Sequence, residues 1–397
     1  MSSAVLAPGR RYQRELGTYG GERPGPTLLV CAGIHGNEPA GILAAQRFLA
    51  RLRDLGLPIA GRVEAIAGNL AALAQDQRFL ARDLNRGWSA PRIESLLRSD
   101  PDADSPEDAE QRAMTAVFTR VEAEARGPLV FVDLHTSSGD SAPFTCTGDT
   151  RENRRLAMSL PVPLILGLEE TIEDAVLDWF NVRGHAGLAI EGGQHRRPET
   201  VDNHEAALWL MLVATGMVAA SAVPDLAARR ATLRGSARRA PPVVEITYRH
   251  VLAPGAVFKM APGFISFQTV RKGEHMGDGA SGPVVAPSTG RVLLPLYQSQ
   301  GEDGFFIGRD VRPFWLGIAT LLRALRFDLL VRLLPGVRRA PTDRNTLLVN
   351  PRVARWFVVE VFHLLGYRKE RRRGERLVFS RRFANAAARS LPWRGPR

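Results

Sequence analysis

Four apolar runs, each leading into a turn or a helical pattern, constrain this 397-residue chain more than any other feature. They are Leu28–Cys31, Leu129–Leu134, Val162–Leu166 and Gly187–Ile190, and Arg62–Ala67 is a further strand candidate. Short, continuous apolar runs read as strands buried on both faces. Helical spacing lies between them: Ile42, Ala45, Leu49 and Leu52, then Glu110–Ala125, then His204 to about Ala220. Strands alternating with helices predict an α/β fold, a mostly parallel or mixed sheet flanked by helices. Such sheets bind ligands along the carboxyl edge of their strands.

That edge collects the residues able to do chemistry. The first run passes into Gly33-Ile34-His35-Gly36-Asn37-Glu38, and Pro39 suits the first turn of the helix that follows. His135 ends the second long run, and Glu191 ends the Gly187–Ile190 run beside Gly192-Gly193. An imidazole and a carboxylate three residues apart converge on one Zn²⁺ when a third side chain joins them. A lone His-x-x-Glu is a weak signal, equally met by a surface histidine and a glutamate stabilised by a helix dipole. The arrival of His135 at the same edge strengthens the metal reading. Three protein ligands, His35, Glu38 and His135, leave an open position for water, whose pKa falls to about 7 on the metal. Glu191 is the leading candidate to take the proton of that water and return it to a leaving amine; a rim ion pair with an arginine is the plainer reading.

Arg78-Phe79-Leu80-Ala81-Arg82-Asp83-Leu84-Asn85-Arg86 concentrates hydrogen-bonding side chains. Guanidinium forks bind carboxylates and stabilise oxyanions, and Asn85 offers an amide for the same purpose. Arg82 and Asp83 read as a local ion pair without catalytic work. The chemistry implied is zinc-assisted hydrolysis of an amide with an anionic group beside the scissile bond.

Composition removes several other classes. The chain is 45% hydrophobic and 24% charged, as globular proteins are. Cys31 and Cys146 give neither a disulfide framework nor a cysteine zinc site. Cys31 sits inside an apolar strand, where thiols are inert, and Ser137 and Ser138 lack a nucleophile-elbow pattern. Met1–Leu16 lacks the apolar core of a signal peptide, so a cytoplasmic protein is expected. The net charge of +12 is uneven: residues 309–397 carry 21 Lys+Arg against 6 Asp+Glu.

Three regions are expected. Residues 1–235 form the α/β hydrolase domain, with a linker near Arg234–Ala240 and a surface loop over Ser99–Asp108. Residues 236–312 form a small all-β barrel or sandwich, from short pieces at Val243–Tyr248, Phe264–Val270, Arg291–Leu296 and Phe305–Gly308. Residues 313–397 form a basic helical C-terminal extension, with helices over Pro313–Gly336 and Val353–Leu365 and a solvated end around Arg371–Arg373. Basic amphipathic helices can lie on anionic membranes, which makes a membrane-associated binding protein an alternative function; packing on the body with arginines outward is the favoured reading. No nucleic-acid-binding module is present. His185 and His195 flank Glu191 and are assigned no role.

Taken together, Gly33–Glu38, Arg78–Arg86, Asp133–Thr136 and Ile190–Gly193 resemble the succinylglutamate desuccinylase/aspartoacylase family, relatives of the zinc carboxypeptidases, over about residues 25–310. The resemblance implies a zinc-carboxypeptidase-like fold with one zinc per chain on His35, Glu38 and His135. It implies Glu191 as general base, Arg78 polarising the scissile carbonyl, and Asn85 and Arg86 binding the substrate carboxylate. The partner implied is a small acyl-amide bearing a carboxylate; peptide substrates, as for a carboxypeptidase, are the enzymatic alternative. Two features depart from the family pattern. Arg183 is displaced by two positions from the arginine that precedes the base in aspartoacylases, and Gly304-Phe305-Phe306 stands near the place of a pocket tyrosine, with Tyr297 the nearest one. Specificity for N-acetylaspartate or N-succinylglutamate is therefore not carried over.

Overall fold

The computed structural model describes residues 11–312 apart from 173 and 254, together with 314, 317, 318, 322, 336–339, 346–349, 367–373 and 376–381. The strands lie where the apolar runs predict them: β1 (Glu15–Gly20), β2 (Thr27–Ala32), β3 (Arg62–Ala67), β4 (Leu129–Ser137), β5 (Phe144–Cys146), β6 (Leu164–Leu166) and β7 (Ala186–Gln194). β3, β2, β4 and β7 lie side by side in parallel, β1 pairs antiparallel outside β3, and β5 pairs antiparallel with β7. The sheet is thus mixed around a parallel centre, as expected.

Alternation along each strand explains why these runs are apolar throughout. On β2, Leu28, Val30 and Ala32 face one core while Leu29 and Cys31 face the other. β4 divides in the same way, Val130, Val132 and Leu134 against Leu129 and Phe131. Helix α1 (Ala40–Leu55) covers the first face with Ile42, Ala45, Phe48, Leu49 and Leu52. Phe48 meets Trp209 edge-on, ring centroids 5.0 Å apart, where a long buried helix, Pro198–Ala214, crosses α1. The second core is aromatic: Phe118, Phe131, Trp179 and Phe180 pack around one another, with Phe131 stacked on Phe180 at 4.0 Å. With an apolar side chain needed on both faces, strict polar alternation has no place here.

Several boundaries differ from the reading of the sequence. The segment taken as a loop over Ser99–Asp108 holds a short turn of helix at Pro101–Ala103, and the next helix starts at Pro106, with Ser105 accepting from Asp108 N. Residues 99–103 are exposed, as a surface loop would be, and within the segment only Glu107 is buried. The expected linker at Arg234–Ala240 is largely helical, Leu226–Ala237, with Leu233 and Ala237 buried; Gly235 has nothing within 4 Å of a Cβ and is tolerated on an open helix face.

The β region also differs in how it is attached. Strands β8 (Val243–Val251), β9 (Phe258–Met260), β10 (Thr269–Val270), β11 (His275–Gly279), β12 (Gly282–Val285), β13 (Gly290–Leu293) and β14 (Asp303–Asp310) form the expected all-β segment. β8 pairs in parallel with β6, so β8, β14, β13 and β10 continue the main sheet, and only β12, β11 and β9 form a separate one. Parallel pairing joins residues far apart in sequence, which local patterning does not reveal. Beyond residue 312, the helix expected at Val353–Leu365 lies outside the described residues, as does most of Pro313–Gly336. In place of a wholly helical extension, β15 (Val337–Arg339), β16 (Thr346–Val349), β17 (Tyr367–Arg373) and β18 (Arg376–Arg381) form an antiparallel sheet. Arg371–Arg373, read as a solvated end, are strand residues paired with β18. Among the described residues, no helix is long and apolar enough to cross a membrane.

Candidate functional site

The turn after β2 places His35. Gly33 takes φ +71°, and Gly36 lies so close to the next segment that a Cβ would stand 2.2 Å from the carbonyl carbon of Ala72. The Gly-Ile-His-Gly spacing is therefore a packing requirement as well as a chemical one. Glu38 N donates to His35 O at 3.1 Å, closing the turn that brings the two side chains together. His135 comes from the carboxyl end of β4, directly opposite Glu191 of β7 in the strand register. The sheet thus carries all four to one edge, as the sequence suggested.

His35 Nδ1 lies 2.9 Å from Glu38 Oε1, and His135 Nδ1 lies 3.4 Å from Glu38 Oε2. The opposite ring nitrogens are held by aspartates: His35 Nε2 is 3.2 Å from Asp83 Oδ1, and His135 Nε2 is 2.9 Å from Asp133 Oδ2. All three residues are buried, and one ligand atom from each lies within 4.8 Å of the others. This arrangement suits a divalent cation. Carboxylates behind both rings fix the tautomer that turns Nδ1 lone pairs inward, the usual support of a metal-binding histidine. Electrostatics agree. Burial works against the Glu38 charge, yet His35 and His135 hold its carboxyl well below the ordinary range. Burial also disfavours charge on His135, but Asp133 and Glu38 raise it well above an ordinary histidine.

Glu191 stands on the wall of the same cleft, accepting from Ser137 Oγ at 3.2 Å. Burial, with Glu38 nearby, pushes its carboxyl up to about 7 against the opposing pull of His135 and Ser137. A carboxyl in that range can both accept and return a proton near neutrality. Behind it, Gly192 is packed against His204, whose Nε2 would stand 2.4 Å from a Cβ. Burial pushes His204 down to about 4, so it is a neutral filler.

Arg78, Asn85 and Arg86 line the cleft on a segment without regular structure. A buried glutamate organises that segment: Glu107 accepts from the N–H groups of Leu80, Ala81 and Arg82 and from Asn69 Nδ2, at 2.7–3.3 Å. Burial disfavours its charge, but these donors together pull its carboxyl below the ordinary value. Trp88 anchors the far end through Nε1 to Leu84 O at 2.7 Å. Arg78 Nη2 donates to Asp83 Oδ2 at 3.1 Å and Nη1 approaches Glu38 Oε1 at 3.5 Å, while Nε is buried without a hydrogen-bond partner. The local Arg82–Asp83 ion pair that was expected does not form: Arg82 pairs with Asp108, and Asp83 instead joins His35 to Arg78. The side-chain oxygen of Asn85 accepts from Val176 N at 2.9 Å.

The sequence reading missed the third wall. The loop before β14 enters the cleft, with Gln298 Oε1 accepting from Asn37 Nδ2 at 2.7 Å and lying 3.1 Å from His195 Nε2. Gln300 clasps the arginine segment, accepting from Arg78 N and donating to Phe79 O. His195, left without a role, lines the cleft with Nδ1 2.6 Å from Thr136 Oγ1. Its position beside Glu191 in sequence was the available signal. Arg183 stacks over Trp179, 3.8 Å from the ring centroid, and the Tyr297 hydroxyl donates to Ala261 O and accepts from Phe264 N. Neither lines the cleft.

Comparison with known proteins agrees with this geometry. Residues 24–168 match the family model for the succinylglutamate desuccinylase/aspartoacylase catalytic domain, a span holding His35, Glu38, Arg78, Asn85, Arg86 and His135 but not Glu191. A succinylglutamate desuccinylase of Burkholderia pseudomallei is 32% identical over 111 residues, 28% of this chain and 31% of that protein. The chain thus spans about a third of the length of the curated relatives it matches. Its fold is that of the succinylglutamate desuccinylase/aspartoacylase of Rhodobacter sphaeroides (TM-score 0.53, 22% identity, 73% of this chain and 86% of that one). It is likewise that of the product-bound ectoine utilization protein EutE (DoeB) of Ruegeria pomeroyi (TM-score 0.52, 17% identity, 74% and 87%). Motif order, site geometry and fold thus agree with the succinylglutamate desuccinylase/aspartoacylase catalytic domain that residues 24–168 match.

Proposed function

We propose that this protein is a zinc-dependent deacylase that hydrolyses the amide bond of an N-acyl amino acid or a similar small, carboxylate-bearing amide. The observation that carries the reading is the convergence of two imidazole Nδ1 atoms on Glu38, each ring backed by an aspartate, with Glu191 opposite His135. His35, His135 and Glu38 would hold one zinc ion. When bound, such an ion supplies Lewis acidity and lowers the pKa of water to about 7. Glu191 then accepts a proton from the attacking water on its carboxylate and delivers it to the departing amine nitrogen. Arg78, anchored by Asp83, donates to the carbonyl oxygen as negative charge develops there. Asn85 and Arg86 orient the substrate through its carboxylate.

The test is metal content, measured on purified wild-type protein and on His135→Ala. About one zinc per wild-type chain, absent from the variant, together with release of amino acid from N-acyl amino acids, is the expected result. Wild-type protein that takes up no metal on incubation with zinc overturns the reading.

A further inference from the structure

Arg86, assigned above to the substrate carboxylate, already holds carboxylates of its own chain. Its Nε donates to Glu302 Oε2 at 3.3 Å, Nη2 lies 3.6 Å from Asp303 Oδ2, and Nη1 donates to Asn85 O at 2.9 Å. The two acids are not equivalent. Asp303 is 13% exposed and also bound by Arg249, in the strand β14. Glu302 is 48% exposed, and its contact, though the shorter of the two, is the poorly enclosed kind that exchanges with solvent at little cost. Arg78, the other guanidinium of the cleft, is engaged by Asp83 and Glu38. Thus neither arginine lining the cleft has a charge uncompensated by the protein.

One wall of the cleft offers little to an anion. Leu168, Ile172, Ala189, Leu294 and Phe306 line it, and the carboxylate of Glu169, which accepts from Cys146 Sγ at 3.5 Å, stands among them. A second substrate carboxylate would lose its water against this wall without gaining a cation, a desolvation that is costly when unpaired.

We infer that Glu302 occupies the place of the substrate carboxylate on Arg86, and that the cleft therefore selects N-acyl amino acids carrying one carboxylate and an uncharged acyl chain over dicarboxylic ones. This rests on the deacylase reading for the orientation of the ligand. On binding, the incoming carboxylate replaces Glu302, which swings to solvent, while Asp303 keeps the guanidinium in place. Glu302 is a specificity determinant on the rim.

Binding separates this inference from the deacylase reading itself. The zinc-loaded Glu191→Gln protein is titrated calorimetrically with N-acetyl-L-alanine, N-acetyl-L-aspartate and N-succinyl-L-glutamate, with and without Glu302→Gln. N-acetyl-L-alanine is expected to bind at least about tenfold more tightly than N-acetyl-L-aspartate, which carries one further carboxylate, or N-succinyl-L-glutamate, which carries two. Glu302→Gln is expected to tighten N-acetyl-L-alanine by about threefold to fivefold, the scale of a half-exposed ion pair, with the gain shrinking at high salt. Glu302→Ala should reproduce that gain, which a folding defect would not. Equal or tighter binding of N-acetyl-L-aspartate or N-succinyl-L-glutamate, no binding of N-acetyl-L-alanine, or no gain in either variant overturns the proposal. Absence of turnover by the wild type with this binding pattern intact overturns the deacylase reading instead.

Discussion

The proposed metal cradle and the proposed substrate rim of this cleft are built by different means. In the cradle, His135 and Glu191 stand on neighbouring parallel strands, and His35 and Glu38 on the turn leaving a third. The backbone there is fixed by ladder hydrogen bonds, and every ring nitrogen facing away from Glu38 has an aspartate. The rim has no such frame. Arg78 to Arg86 run without regular structure, held in shape by side chains from afar: Glu107 on one side, Gln300 and Glu302 on the other. A strand end positions a ligand through the sheet, whereas a loop positions one only as well as its anchors are satisfied. Substitutions should therefore affect the cradle through chemistry and metal affinity, and the rim through substrate affinity and local stability.

The sharpest contrast comes from Glu191→Gln. Loss of the proton carrier should lower turnover by about 10²–10⁴-fold with zinc content unchanged, as read by initial rates and metal analysis. Retained turnover removes Glu191 from its role. Next in size is Asp133→Asn, which leaves His135 in place but withdraws its backing carboxylate. Zinc affinity should fall by about 10–100-fold in chelator competition, with little change in the affinity for N-acyl amino acids at saturating zinc; an unchanged metal affinity would mean the cradle does not depend on its supports.

Glu107→Gln tests the rim. Leaving three loop N–H groups short of a charged acceptor should cost about 1–3 kcal/mol of stability and raise KM more than it lowers kcat. The effect has a definite pH dependence. Because the folded state lowers the Glu107 pKa, its stabilisation is complete above the unfolded value of about 4.3 and is lost as pH falls through the folded value. The stability gap between wild type and variant should therefore close in acid, measured by denaturant midpoints at neutral pH and near pH 3. A gap that widened in acid would contradict the anchor. The smallest expected effect is that of Gln300→Ala, which removes two bonds to the arginine segment. About 1 kcal/mol of stability and a few-fold rise in KM are expected, and an equal loss of zinc would erase the distinction between the two regions.

The same division separates what was readable from what was not. β2, β3, β4 and β7 were legible because strands buried on both faces must be apolar at every position, and the parallel arrangement then implied that His35, Glu38, His135 and Glu191 meet. Motif spacing identified Arg78, Asn85 and Arg86 as a group. It did not show that Asp83 links Arg78 to His35, that His195 lines the cleft, or that Glu302 sits on Arg86, 216 positions away in sequence. In the Ser99–Asp108 segment only Glu107 departs from the surface reading, for a related reason: it is charged, and only its N–H donors explain its place inside. The linker expected near Arg234–Ala240 and the separate β barrel failed because Leu233, Ala237 and the β6–β8 pairing gain their stability from distant partners.

By itself, then, the sequence determined the strands, the parallel centre of the sheet and the residues that meet at its edge, since local periodicity and strand direction follow from chain-neighbour interactions and burial on two faces. Only the tertiary structure decided how the β region joins the sheet, which carboxylates back the imidazoles and which charge already occupies Arg86. Those are pairings between distant segments, set by packing and charge compensation in three dimensions, and no pattern of neighbours along the chain encodes them.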